Sequence, residues 1–172
     1  PAIDSGGKSM FLRLESSSIA MWVAESLWAY PILLAIHIVG LAIVVGIFSM
    51  RDLRLLGMFP GIHPAAFLPL SKMAWIGFII NAISGILLFT SQAVTFVGNV
   101  PFLLKIAAII AGMVLAGIIQ SRLRGELAID SASAAEANNA DYAISDSTKY
   151  IALVSLLLWM AAIVAGRLIA YI

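Results

Sequence analysis

Residues 28–46 read WAYPILLAIHIVGLAIVVG, from Trp28 to Gly46, and hold a single imidazole, His37, inside a nearly continuous apolar run. The uncharged stretch extends further, from Ser26 to Met50. A helix rises about 1.5 Å per residue, so about 20 such residues cross the roughly 30 Å of hydrocarbon in a bilayer. This stretch therefore predicts a membrane-spanning helix with His37 about 16 Å from its Ser26 end, close to the midplane.

Three further segments pass the same test of length and apolarity, and they set the fold. The expected spans are residues 25–50, 73–95, 101–122 and 149–171. Backbone amides and carbonyls in lipid must be paired within the protein, and the period-2 alternation of a membrane barrel is missing, so the spans are helices. The fold class is all-α, a four-helix integral membrane bundle forming a single domain over residues 1–172. An N-terminal segment, 1–24, precedes it, and a polar inner connection, 123–148, joins the last two spans. In MFLRLESSSIAMWVAESLW, Phe11, Leu14, Ile19, Trp22 and Val23 are spaced for an interfacial helix, with Ser17 or Ser18 as a cap for its second half. An ordinary lead-in anchored by Trp22 and Trp28 is the alternative.

The whole composition agrees with lipid as the solvent, since 62% of the 172 residues are hydrophobic and 11% charged. The formal net charge of +1 implies no nucleic-acid partner. Cysteine is absent, which excludes disulfides, thiolate chemistry and cysteine-ligated metals. Basic residues cluster at Arg51, Arg54 and Lys72 and again at Arg122, Arg124 and Lys149, whereas the connection TFVGNV, Thr95–Val100, has no charge. The positive-inside rule then places both termini outward, on the periplasmic side of a bacterial inner (cytoplasmic) membrane.

Local breaks refine the first span. Pro31 lies one turn inside the expected helix, so a bend is expected beside His37. Arg51 and Arg54 mark the inner headgroups, and Gly57, Pro60, Gly61 and Pro64 in RDLRLLGMFPGIHP end the helix.

Ionisable groups at membrane depth are rare, and each is a candidate for function. Here they are His37, Lys105 and Arg167, with Asn81 and Gln92 as uncharged companions. Lys105 is four residues into the third span, about 6 Å from its start. A neutral imidazole in an apolar bundle is a natural axial ligand for haem iron, and two cations nearer the surface suit haem propionates. That pattern makes haem b the expected cofactor, with His37 as metal ligand and Lys105 and Arg167 on the propionates. A quinone hydrogen-bonded to His37 is the alternative occupant. Snorkelling of both cations to the headgroups is the structural alternative. Gly40 follows His37 by three residues and shares its face, leaving room for a macrocycle or a neighbouring helix. His63 lies some 20 Å of helix from His37. Met113 and Met160 match the depth of His37, so thioether ligation competes with plain core packing for both.

The stretches HIVGLAIVVGIFSMRDLRLLG (residues 37–57) and FLLKIAAIIAG (102–112) resemble the pattern of small bacterial four-helix membrane proteins. That group includes the HemJ-type protoporphyrinogen oxidases and the CopD-type copper-resistance membrane domains. The closing GRLIAY, Gly166–Tyr171, and the spacing of Trp28, Pro31, His37 and Gly40 also resemble an uncharacterised bacterial family of the same architecture. The resemblance implies a haem b site in which His37 and Lys105 are functional. It departs from the HemJ-type pattern at RDLRLLGMFPG, which lacks the aromatic and histidine-containing stretch found there. The methionines form no Met-x-x-Met cluster of the kind copper transport would use. The expected function is electron transfer between a periplasmic redox partner and the quinone pool, as a lone protein or as a subunit of a larger membrane complex. The alternatives are an enzyme acting on a tetrapyrrole or quinol, and a cofactor-free structural, assembly or copper-handling subunit.

Overall fold

The computed structural model describes residues 5–133, 144–169 and 171. No strand occurs among them. The helices are α1 (Ser5–Glu15), α2 (Ser18–Glu25), α3 (Ala29–Leu55), α4 (Phe67–Thr90), α5 (Ala93–Val97), α6 (Val100–Ser133) and α7 (Asp146–Leu168), with one 3-10 turn at Pro64–Ala66. Four stretches are long and apolar enough to cross a membrane: Ala29–Leu55, Pro64–Thr90, Val100–Glu126 and Asp146–Leu168. Only 22–28% of the apolar window in each is buried inside the protein. The remaining surface is mostly apolar, as in Ile36, Ile38, Ile79, Ile83, Leu104 and Leu157, so lipid is the medium that satisfies it. The chain is a multi-pass membrane protein with a four-helix core.

Within that core, α3 packs along α4 and α6 along α7, and the α3–α7 contact joins the two pairs. α4 and α6 scarcely touch. Helices α3 and α4 come close because small residues face each other. A Cβ on Gly40 would lie 3.0 Å from the Gly77 carbonyl oxygen and 3.1 Å from the Asn81 amide nitrogen. Such contact between backbones is how helices associate in lipid, where dispersion replaces the hydrophobic effect. Below this contact, Val44, Val45, Phe48, Met113, Ala116 and Trp159 form a closed core, with Phe48 stacked on Trp159 at 5.7 Å between centroids.

Helix ends follow local chemistry. The Ser17 side chain accepts from the Ala20 amide at 3.3 Å and caps α2, as its position before an apolar run predicts. The N-terminal segment is two helices broken at Ser16–Ser17. α2 packs on α3 and α4, with Ala20 and Val23 fully buried, and α1 packs on α5. α3 begins at Ala29, later than residue 25, so Pro31 lies in its first turn, where the missing N–H has no partner to lose. The expected bend at Pro31 is therefore unnecessary. At its other end α3 runs on to Leu55 and closes with a Schellman motif. Gly57 adopts φ +93°, its amide bonds Arg54 O at 3.0 Å, and the Met58 amide bonds Leu53 O at 3.1 Å. Arg54 donates from Nε to Ile62 O and from Nη2 to Pro60 O at 3.3 Å, folding the following loop back on the helix.

The extension of α3 changes the reading of Arg51. Its side chain is 1% exposed and that of Asp52 is 0% exposed. Arg51 Nε and Nη2 donate to Asp52 Oδ1 at 3.0 and 2.8 Å, and Nη1 donates to the Ala116 carbonyl of α6 at 3.1 Å. Arg51 thus ties α3 to α6 within the protein and does not mark the headgroups. Residues 127–133 continue α6 into the expected polar connection, and the rest of that connection, 134–143, lies outside the described residues.

Candidate functional site

Between the closed core and α5 the four long helices enclose a cavity of about 700 Å³. Among the described residues its polar side chains are Tyr30, His37, Asn81, Gln92 and Lys105, and no acidic residue lines it. Phe78 and Ile109 line it at one end and also pack on the core, forming a floor. At the other end Phe89, Phe96 and Phe102 stack pairwise with centroids 5.2–6.5 Å apart, and Phe11 of α1 meets Phe89 edge-on at 6.5 Å. Glu15 of α1 accepts from the Val94 amide at 2.8 Å, which fixes α1 on α5.

His37 is held against α4 from both sides of its residue. Asn81 Nδ2 donates to the His37 carbonyl at 2.7 Å. In return, His37 Nδ1 lies 3.0 Å from the Asn81 carbonyl oxygen and 3.2 Å from Ser84 Oγ. Ser84 gives its own proton to the Ile80 carbonyl at 2.7 Å. A carbonyl only accepts, so Nδ1 is the donor to Asn81, and in the neutral ring Nε2 then carries the lone pair. Gly85 makes this pose feasible, because a Cβ there would sit 2.9 Å from His37 Cε1. Its space is taken by the imidazole itself rather than held open for a ligand.

Lys105 reaches the same ring from α6, its Nζ 3.5 Å from His37 Nε2. The stem runs beside Gly166 of α7, where a Cβ would contact Lys105 Cδ at 3.5 Å. The lysine therefore turns inward, although its depth alone allowed it to snorkel outward. The outcome is an imidazole and a lysine amine side by side on the wall of an apolar cavity, with no carboxylate among the described residues lining that wall.

The other sequence candidates lie elsewhere. Gly40 is consumed by the α3–α4 contact and does not line the cavity. Arg167 is exposed, donates to Tyr171 OH at 2.6 Å and sits 5.0 Å above that ring, although its neighbour Gly166 does line the cavity. Met113 is packed into the closed core, and Met160 is 42% exposed on the outer face of α7. The reason is rotational: matching depth does not set which face of a helix carries a residue. His63 is the cap of the 3-10 turn, its Nδ1 accepting from the Ala65 amide at 3.2 Å. Neither methionine lines the cavity, and nor does His63. Among the described residues no group of three or more His, Cys, Asp or Glu side chains is placed to hold a metal ion.

Sequence reasoning missed Ser84 and the three stacked phenylalanines. Ser84 had a signal, since it follows Asn81 by three residues and so shares its helix face. No family model matches the chain, and no curated protein or solved structure matches it.

Proposed function

We propose that this chain is a haem b-binding protein of a bacterial inner membrane, with both termini periplasmic, that passes electrons between a periplasmic redox partner and the quinone pool. The observation that carries this reading is the 3.0 Å contact of His37 Nδ1 with the Asn81 carbonyl oxygen at the cavity wall. A ring that gives Nδ1–H to a backbone carbonyl and turns Nε2 toward a large apolar cavity has the outer-sphere arrangement usual for histidine ligands to metals. The residues present fit the group once Lys105 Nζ, 3.5 Å from Nε2, turns aside: His37 Nε2 would then hold the iron, the apolar walls would take the macrocycle, and Lys105 is the cation near enough to pair with a propionate. Haem, when bound, supplies one-electron chemistry in a low-dielectric site. The protein's own contribution is to orient His37, exclude water and place one positive charge beside it.

A quinone is the second reading, favoured by two observations. Lys105 Nζ stands directly before Nε2, and none of His63, Met113 or Met160 lines the cavity to supply a second axial ligand. In that reading Lys105 donates a hydrogen bond to a quinone oxygen and His37 exchanges the proton.

A reduced-minus-oxidised visible spectrum of the detergent-purified protein, with a pyridine haemochrome assay, tests the first reading. Haem b near one per chain is expected. A folded preparation made with ample haem supply that contains none overturns it, and quinone in the organic extract then supports the second.

A further inference from the structure

We infer that the cavity is loaded sideways from the lipid phase, through the gap between α4 and α6, and that its ligand is a bilayer-dissolved amphiphile with an apolar body and an acceptor-bearing head. The inference rests on the cavity being a ligand site and deepens that reading by naming the ligand's class and route.

The geometry leaves the α4–α6 side the most loosely closed. The floor is sealed by Phe78 and Ile109 on the closed core. The opposite end is roofed by Phe89, Phe96 and Phe102, and α1 is fastened over them through Phe11 and the Glu15–Val94 bond. Two walls are the α3–α4 and α6–α7 pairs, and the α3–α7 contact forms the back. Of the neighbouring helix pairs around the bundle, α4 and α6 pack together least, meeting at the roof through the Phe89–Phe102 stack. The residues flanking that gap, Ile86 on α4 and Ile106 on α6, line the cavity and are nonetheless 63% and 40% exposed. An apolar rim on a membrane-spanning surface faces acyl chains, so a ligand crossing it leaves lipid and never meets water.

The cavity chemistry selects the ligand's other end. Lys105 donates hydrogen bonds only, Nε2 of His37 already faces it, and among the described residues no carboxylate lines the wall to neutralise it. A head carrying carbonyl or carboxylate oxygens satisfies that ammonium. A neutral hydrocarbon or a cationic head leaves it uncompensated in a low-dielectric site.

The native chain has no cysteine, so a single introduced thiol reports the route without background. Ala82→Cys places the thiol on the cavity wall, and Ile83→Cys, whose native side chain faces outward from α4, calibrates a thiol in lipid. Both are reconstituted in phosphatidylcholine vesicles and treated with a lipid-soluble maleimide or with a charged, impermeant methanethiosulfonate present on both sides. The expected result is that the lipid-soluble reagent modifies Ala82→Cys nearly as fast as Ile83→Cys, while the charged reagent lags by several-fold or more. Adding Ile86→Trp should slow the first reaction several-fold, and Phe11→Ala should leave it unchanged. Comparable labelling by the charged reagent, no labelling of Ala82→Cys while Ile83→Cys reacts, or indifference to Ile86→Trp overturns the inference. This outcome is independent of haem: a haem-free protein with the expected labelling pattern loses the haem reading and keeps the lateral route.

Discussion

Helix α3 carries two polar centres fourteen residues apart, and their contrast separates architecture from chemistry. Arg51 and Asp52 are fully buried, of opposite charge and bonded to each other and to the α6 backbone. His37 and Lys105 are half-buried, have no negative partner among the described residues and stand on the wall of a cavity. A neutralised, closely packed pair leaves no net charge for a ligand to compensate. Lys105, facing an imidazole across 3.5 Å, has a hydrogen-bond acceptor but no countercharge among the described residues that line the cavity, and the cavity beside it is where one can bind. Membrane depth alone therefore does not make a polar residue functional. What matters is whether its charge is already satisfied.

The largest expected effect tests the closed pair. Asp52→Ala strands a buried guanidinium and should lower stability by about 3–5 kcal/mol, read from thermal unfolding in detergent. Asp52 Oδ2 has no partner among the described residues, so the pair is not perfectly satisfied. Replacing both members, Arg51→Met with Asp52→Leu, should therefore recover most of that loss. A stable Asp52→Ala single variant would remove the distinction between the two centres.

Gly40→Ala comes next. Its Cβ would press on backbone atoms of Gly77 and Asn81, which cannot rotate aside, so a loss of about 1–3 kcal/mol is expected in the same assay. Unchanged unfolding would mean that α3 and α4 pack less tightly than the contact implies.

At the open pair the stability effects shrink while the cofactor effects grow. His37→Ala removes one side-chain hydrogen bond to α4 and should cost about 1 kcal/mol, yet it should abolish haem incorporation in the pyridine haemochrome assay. Retention of a normal haem complement would remove His37 as the ligand. Lys105→Met should change stability by no more than about 0.5 kcal/mol, because it deletes a charge that nothing neutralises while keeping the length of the stem. It should still weaken haem retention under detergent washing, whereas Lys149→Ala at the exposed start of α7 should not. Equal haem loss from the two variants would reduce Lys105 to a bystander.

Parts of this arrangement are legible in the order of residues. His37 stands out because a lone imidazole within 25 uncharged residues, Ser26 to Met50, has few ordinary reasons to be there. Lys105 is visible as a cation at shallow depth, but inward and outward poses are equally open to it on that evidence. The space beside Gly166, on a different helix, admits the inward stem. Arg51 misleads because basic residues usually collect at span ends. Here α3 runs five residues past the expected end at residue 50, and a carboxylate next to Arg51 lets both groups be buried. Met113 and Met160 qualify by depth, and depth says nothing about which side of a helix faces the cavity.

Helicity, four segments suited to a membrane and the scarcity of ionisable groups within them all follow from the amino-acid order. Those properties are local, since apolar length and backbone pairing in lipid need no knowledge of neighbours. The meeting of His37 with Asn81, Ser84 and Lys105, the interior place of Arg51 and the separation of α4 from α6 around a cavity arise only in the folded bundle. Each of those outcomes depends on how helices are rotated and which ones touch. Small residues such as Gly40, Gly77 and Gly166 set that by permitting close approach at particular faces, and such permission has meaning only once the opposing surface is in place.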